Sequence, residues 1–321
     1  MKKYFIRIFI GSVLLLISVS LSLSWGFWAH KKINNMAIFT LPPEMIGFYK
    51  KHIDYLTEHA IDPDKRRYVV KEEGARHYLD LDHYGQHPFD SIPKLWKNAV
   101  AKYTEDTLMT YGIVPWYIET MMERLTEAFY NRDAAKILRL SADLGHYIAD
   151  AHVPLHTTEN YNGQFTNQLG IHGFWEARLP ELLGDKYDFF VGRVQYIQQP
   201  LTQAWNILKA SNSALDSVLS FEKKLNDQTS PDKKYSYEQR GAQTVKVYSE
   251  EYSRAYNEML NDMAERRMRA AIFMVGSYWY TAWVNAGQPD LSKMKEKEQV
   301  KDVSDSTSSK KIKHKFKSNE E

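Results

Sequence analysis

Residues 253–287, SRAYNEMLNDMAERRMRAAIFMVGSYWYTAWVNAG, run without a proline and are rich in strong helix formers. Gly287 and Pro289 then supply the ordinary punctuation of a helix end. A helix of that length needs other helices along its flanks, and the chain offers them. In DAAKILRLSADLGHYIAD (133–150), Ile137, Leu138, Leu144, Tyr147 and Ile148 recur near i, i+3, i+4 spacing, with Asp133 placed as an N-cap. Residues 115–130 and 200–225 also read as helical, and the aromatic run YWYTAW (278–283) reads as core. No segment alternates convincingly as a strand, and no repeat is present. No glycine-rich loop follows a strand, so a dinucleotide or P-loop fold has no support. The expectation is an all-α protein with a single multi-helix domain over residues 25–290.

The two ends differ from this body. Lys2, Lys3 and Arg7 precede a mostly apolar run from Ile8 to Leu23, and small residues at Ser22 and Ser24 suit cleavage before Trp25. Residues 1–24 thus read as a signal peptide and the protein as exported, periplasmic or extracellular. An uncleaved anchor is the alternative, but the run falls short of the roughly 20 residues that span a bilayer. Residues 291–321 read as a disordered charged tail, too poor in apolar groups to offset ordering entropy. The leader carries +3. Residues 292–321 hold nine Lys against six acids, and the whole chain is +2, so residues 25–291 hold −4. The body therefore lacks the broad basic face of a duplex-binding protein. The chain contains no cysteine, so any metal must be held by His, Asp, Glu or backbone atoms.

Such side chains cluster in HYIADAHVPLH (146–156). His146 and Asp150 are four apart and share one helix face. Pro154 ends the helix, and His156 follows on chain free to turn back. His172 and Glu176, in HGFWE, form a second pair at the same spacing. Paired imidazoles and carboxylates without thiolate suit zinc, manganese or iron. WGFWAH adds His30. DPDKRRYVVKEEGARHYLDLDH (62–83) adds Asp62, Asp64, His77, Asp80, Asp82 and His83.

These motifs resemble the trinuclear zinc phosphoesterase superfamily, which holds bacterial zinc-dependent phospholipase C and the single-strand-specific zinc nucleases of fungi and plants. The likeness lies in W-x4-H at the mature start, an Asp some fifteen residues before His-aromatic, H-x3-D-x5-H and H-x3-E. Nine ligand positions agree in order over residues 25–176. The resemblance implies three zinc ions in a buried cleft. Asp62, His77, His146 and Asp150 would hold the first, and His156, His172 and Glu176 the second. The α-amine and carbonyl of Trp25, with His30 and Asp150, would hold the third, Asp150 bridging two ions. Asp62 fits the family spacing and would orient the attacking water; Asp64 is its alternative. Lys65 or Arg66 would meet the phosphate, or form surface ion pairs. Tyr78 would stack on substrate, or pack in the core. His152 has no ligand counterpart, His83 and His87 would be surface groups or stand behind the ligands, and Asp80 and Asp82 would support a ligand His.

The implied function is an enzyme, a secreted zinc-dependent phosphoric ester hydrolase of the phospholipase C type. Its substrate would be a phospholipid, or a single-stranded nucleic acid or nucleotide; no protein partner is inferable. WGxxxH and the Asp62–His77 spacing look nuclease-like. Glu176 and the short step from His156 to His172 look phospholipase-like. The choline pocket of phospholipase C is not matched: Trp28 stands in place of its Glu, and Pro63 in place of its aromatic. Val153 replaces the Gln that usually precedes the motif proline. A single-strand nuclease or 3′-nucleotidase is the alternative, and a non-catalytic zinc-binding surface protein a second one.

Overall fold

The computed structural model describes residues 26–294. The leader 1–24, Trp25 and residues 295–321 of the tail lie outside the described residues. The main elements are α1 (Phe27–Ala37), α2 (Pro43–Lys51), α3 (Val114–Tyr130), α4 (Ala134–Ala151), α5 (Pro200–Gln228), α6 (Glu250–Met259) and α7 (Met263–Asn285), joined by shorter helical turns. Prolines sit at the first turns of α2, α3 and α5, where a missing N–H has no cost. Asp133 caps α4, accepting the Lys136 N–H at 3.1 Å.

The fold is built around α4, which packs against α1, α3 and α7. Every residue from Leu140 to Ala151 is buried, so its C-terminal half has no solvent face. Tyr278 and Trp279 of α7 are fully buried, as expected for YWYTAW, and the Trp279 indole donates to the Ser141 carbonyl at 3.0 Å. Polar groups on such a helix must find partners inside the protein. That placement turns His146 and Asp150 into interior groups.

Gly145 makes the α1–α4 approach close. A Cβ there would overlap the Asn34 side chain, which donates to the Ala142 carbonyl at 3.1 Å. Gly145→Ala should therefore destabilise the protein by about 1–3 kcal/mol through overpacking. Gly47→Ala, in the open and without a left-handed backbone, should stabilise it by about 0.5–1 kcal/mol. Thermal melts of the two variants check the contrast; a Gly145→Ala melt matching the parent contradicts it.

Two expectations change. The stretch 253–287 is two helices rather than one. Asn261 and Asp262 take left-handed conformations (φ 50° and 53°) between α6 and α7, and Asn257 Nδ2 donates to Asp262 Oδ1 at 2.6 Å. Short polar side chains tolerate that region where other residues resist it. Secondly, β1 (Tyr235–Arg240) and β2 (Gln243–Tyr248) form an antiparallel hairpin. Its two-residue turn starts with Gly241 at φ 61°, where a type II′ turn requires glycine. Buried Arg178 holds the hairpin down, donating to the Tyr248 carbonyl and to Glu238 at 3.0 Å each. Past residue 290 the described chain stays against the body. Leu291 is buried and packs beside α2, and the Trp283 indole donates to the Pro289 carbonyl at 2.9 Å. Among the described residues, no helix is long and apolar enough to cross a membrane.

Candidate metal centre

The cleft draws on six segments. His30 comes from α1, and Asp64 from the short helix Asp62–Arg66. His77 follows the 3₁₀ turn Gly74–Arg76. His146 and Asp150 lie one turn apart on α4. Val153 is extended before Pro154, so the chain leaves α4 and returns His156 toward it. His172 and Glu176 lie on a helical run from Ile171 to Leu183 that contains a π-helical turn, Phe174–Arg178. There the Leu179 N–H reaches back five residues to the Phe174 carbonyl, just before Pro180, which has no N–H to give.

These side chains are buried and converge as three groups: His30, Asp64 and His146; His77, His146 and Asp150; His156, His172 and Glu176. Within each group one ligand atom per residue lies within 4.8 Å of the others. Asp150 reaches members of all three, with oxygens 3.4 Å from His30, 2.8 Å from His77, 3.2 Å from His146 and 3.8 Å from His156. The outer edges of the rings are fixed. His146 Nδ1 donates to the Ala60 carbonyl at 2.8 Å, and His156 Nδ1 to the His77 carbonyl at 2.7 Å. Their Nε2 atoms therefore point inward. His146 Nε2 lies 3.1 Å from His77 Nδ1, and His156 Nε2 lies 3.1 Å from His172 Nε2. Glu73, fully buried, approaches His77 from behind at 3.7 Å. Glu176 Oε1 accepts no hydrogen bond among the described residues. Inward nitrogens crowded with carboxylate oxygens fit divalent cations: imidazoles and ionised carboxylates, with His146 and His156 oriented from outside.

Asp62 is not in this group. Its carboxylate faces outward to His59 at 2.5 Å and Lys65 at 3.0 Å. Buried Asp64 stands in its place, 3.8 Å from His77 and 3.7 Å from His146. Lys65 is thus an exposed partner of Asp62. Arg66 is turned away from the cleft, bonded to Asp143 at 3.2 Å and to Tyr147 at 3.2 Å. Its neighbour Arg67, missed in the sequence, lies 3.9 Å from Asp64. Tyr78 is half-buried at the cleft's edge, backed by Gly112 and donating to the Thr110 carbonyl. His152 is buried elsewhere, its Nδ1 donating to the Ile148 carbonyl. His83 stacks on Tyr111 and meets Glu159, and His87 is exposed. Trp28 packs over Gly184 and Phe189. Trp25 lies outside the described residues, but Gly26 N donates to the Glu176 carbonyl at 3.3 Å, which brings the start of the domain to the cleft.

The charges are strongly coupled. Burial alone would raise Asp150, but His146 and His156 hold it well below the usual carboxylate range. Burial would likewise lower His146, yet Asp150 and Asp64 lift it to about 9. His156 reaches about 9 against the same burial through Asp150 and Glu176, and Glu176 falls to about 2 as His172 and His156 outweigh its desolvation. Asp80, on the adjoining wall, is pushed up to about 7 by burial and by Asp82 and Glu159. In the metal-free protein the two histidines stabilise the fold fully below about pH 6.5 and cease to do so as pH rises through about 9. Glu176 stabilises it above about pH 4.5 and ceases to as pH falls through about 2. Chelated protein should therefore weaken between pH 6.5 and 9, on the order of 3 kcal/mol for a histidine shifted this far. Metal-loaded protein should not, because the cations replace those protons. Urea midpoints at pH 6 and pH 9 with and without chelator check this; equal chelated midpoints contradict it.

A family model described as zinc-dependent phospholipase C matches residues 29–238. The matched range contains His30, Asp64 and every cleft residue through Glu176, and ends inside β1. No curated protein matches the chain.

Proposed function

The chain belongs to the zinc-dependent phospholipase C family, and from that premise we propose that it cleaves a phospholipid at the phosphodiester, as a phospholipase C. Family membership makes it a zinc-dependent phosphoric ester hydrolase. The family match carries the choice of a phospholipid, and Asp150, one buried carboxylate within 3.8 Å of histidines in all three ligand groups, carries the metal-centred chemistry.

Three ions fit the residues present. Asp64, His77, His146 and Asp150 would hold one, and His156, His172 and Glu176 another. His30 and Asp150 would hold the third, with the α-amine and carbonyl of Trp25 once cleavage before it frees that amine; export belongs to the same proposal. Zinc supplies Lewis acidity and a bound water of lowered pKa. The chain's own groups do the rest. Asp64 orients the attacking water and takes its proton on a carboxylate oxygen as the water oxygen bonds phosphorus; that proton then goes to the glycerol oxygen, whose bond to phosphorus breaks. Arg67, beside it, donates to a phosphoryl oxygen. The Ala60 and His77 carbonyls hold the His146 and His156 imidazoles in one tautomer, so these two rings need no reorganisation during the displacement.

The nuclease reading leaned in part on the Asp62–His77 spacing. With Asp64 in the cleft that spacing is thirteen residues, and this support is removed. A panel of phospholipids with varied head groups, single-stranded DNA and RNA, and 3′-nucleotides, each with and without chelator, tests the proposal. Chelator-sensitive release of a phosphorylated head group is expected. Faster turnover of nucleic acid than of any lipid would assign the nuclease alternative, and a zinc-loaded protein inert on every member would assign the non-catalytic one.

A further inference from the structure

We propose that the rim of the cleft docks on a bilayer containing anionic lipid, through two turns that hold Tyr68, Val69, Phe165 and Leu169 outward. The inference rests on the phospholipid reading and adds a surface to it. These four side chains are 74%, 82%, 67% and 67% exposed. Solvent normally drives such groups into a core, and two exposed apolar pairs on turns next to one cleft mark a candidate interaction surface.

Both turns border the same mouth. Arg67, next to Tyr68, lies 3.9 Å from Asp64. On the other side the Tyr161 ring sits 5.5 Å from the His172 ring. Tyr78 lies between them, near enough that both Arg67 and Tyr161 act on its hydroxyl. A substrate entering the cleft passes these two turns.

Neither turn is a loose flap. Val69 and Val70 both donate to the Arg66 carbonyl, at 2.9 and 2.8 Å. The 158–170 loop is cross-braced by its own polar side chains. Asn160 Oδ1 accepts from the Phe165 N–H at 2.8 Å, Asn162 Oδ1 from the Gly170 N–H at 3.0 Å, and Gln164 Oε1 from the Asn162 N–H at 3.1 Å. Gly163, Asn167 and Gly170 take left-handed conformations, and a Cβ on Gly163 would overlap the Gln168 carbonyl. Gln168 roots the loop, donating to the Leu219 carbonyl and to buried Glu222. The hydrogen bonding thus holds Phe165 and Leu169 away from the core.

Charge selects the occupant. Lys65, Arg67 and Lys71 flank Tyr68 and Val69, with Glu72 the exposed acid beside Lys71 and with Lys65 and Arg67 facing Asp62 and Asp64, while the other loop has a single acid, Glu159, paired with His83. Apolar side chains that enter the acyl boundary, edged by cations at head-group level, are the elements of an interfacial anchor. A protein partner would have no reason to centre on the opening through which substrate enters.

Mature zinc-loaded protein, beginning at Trp25, is sedimented with vesicles of phosphatidylcholine alone and with one-fifth phosphatidylglycerol. The parent should partition onto the anionic vesicles, less so at high salt. Tyr68→Ser with Val69→Ser, and separately Phe165→Ser with Leu169→Ser, should each weaken partition by about a hundredfold, about tenfold per side chain. Hydrolysis of a water-soluble chromogenic phosphodiester should stay within about twofold, the ordinary scatter of surface substitutions. As the chain has no cysteine, Phe165→Cys gives a unique labelling site, and an environment-sensitive dye there should shift to the blue on vesicles. A parent that does not sediment, or pairs that sediment like the parent with an unshifted dye, overturns docking and leaves a protein partner as the occupant. If one pair misfolds and loses soluble turnover, the other pair and the dye decide. Partition intact without head-group release from any lipid sinks the phospholipid reading and leaves docking standing.

Discussion

Asp150→Asn is expected to remove more than one zinc from the purified protein and lower turnover by about a thousandfold or more. Losing the several kcal/mol that a Lewis-acid ion supplies sets that scale. The reason is geometric. Asp150 lies within 3.8 Å of His30, His77, His146 and His156, so its carboxylate is shared, whereas the Glu176 carboxylate pairs with His156 and His172 among the described residues. The amide keeps the shape and loses the charge that holds His146 and His156 near 9. Glu176→Gln should cost a single ion. Metal analysis by mass spectrometry, run beside turnover, separates the two variants. Loss of one zinc in each would show that Asp150 does not bridge.

Asp64→Asn is expected to lower turnover by about 10²–10⁴-fold, the range for a lost general base, while Asp62→Asn should leave it within a few-fold. Asp64 is buried against His77 and His146; Asp62 is half-exposed against His59 and Lys65. Folding should distinguish them little, since both changes are isosteric. The reverse ranking would restore Asp62 as the residue that handles the water. Arg67→Ala against Arg66→Ala is a companion comparison: the first should raise the substrate concentration needed, the second should mainly destabilise the Asp143–Tyr147 network.

Most of the cleft was legible because helical spacing carries geometry. His146 with Asp150 and His172 with Glu176 repeat every four residues, and a proline between the pairs marks where the chain turns back. Glu73 with His77 obeys the same spacing and was readable in principle. Asp62 and Asp64 illustrate the limit. Two residues apart on one helical turn, they point to roughly opposite faces, and nothing within DPDKRR says which face is inward. Arg66 and Arg67 pose the same problem one residue apart. The hairpin escaped notice because YSYEQR and QTVKVY lie half-exposed on the surface, so no buried face imposes a clear alternation. The break at Asn261–Asp262 was hidden for another reason: neither residue forbids a helix, and only the backbone angles reveal the left-handed turn.

The candidate ligands run from residue 30 to residue 176, yet meet at a few ångströms. Ions bound there would act as cross-links, closing loops of tens of residues in a chain that has no cysteine for disulfides. Resistance to proteolysis would then follow the free zinc concentration, rising with the logarithm of metal over its dissociation constant. Scarcity of zinc would remove catalysis and durability together, so the protein would persist mainly where it can also work.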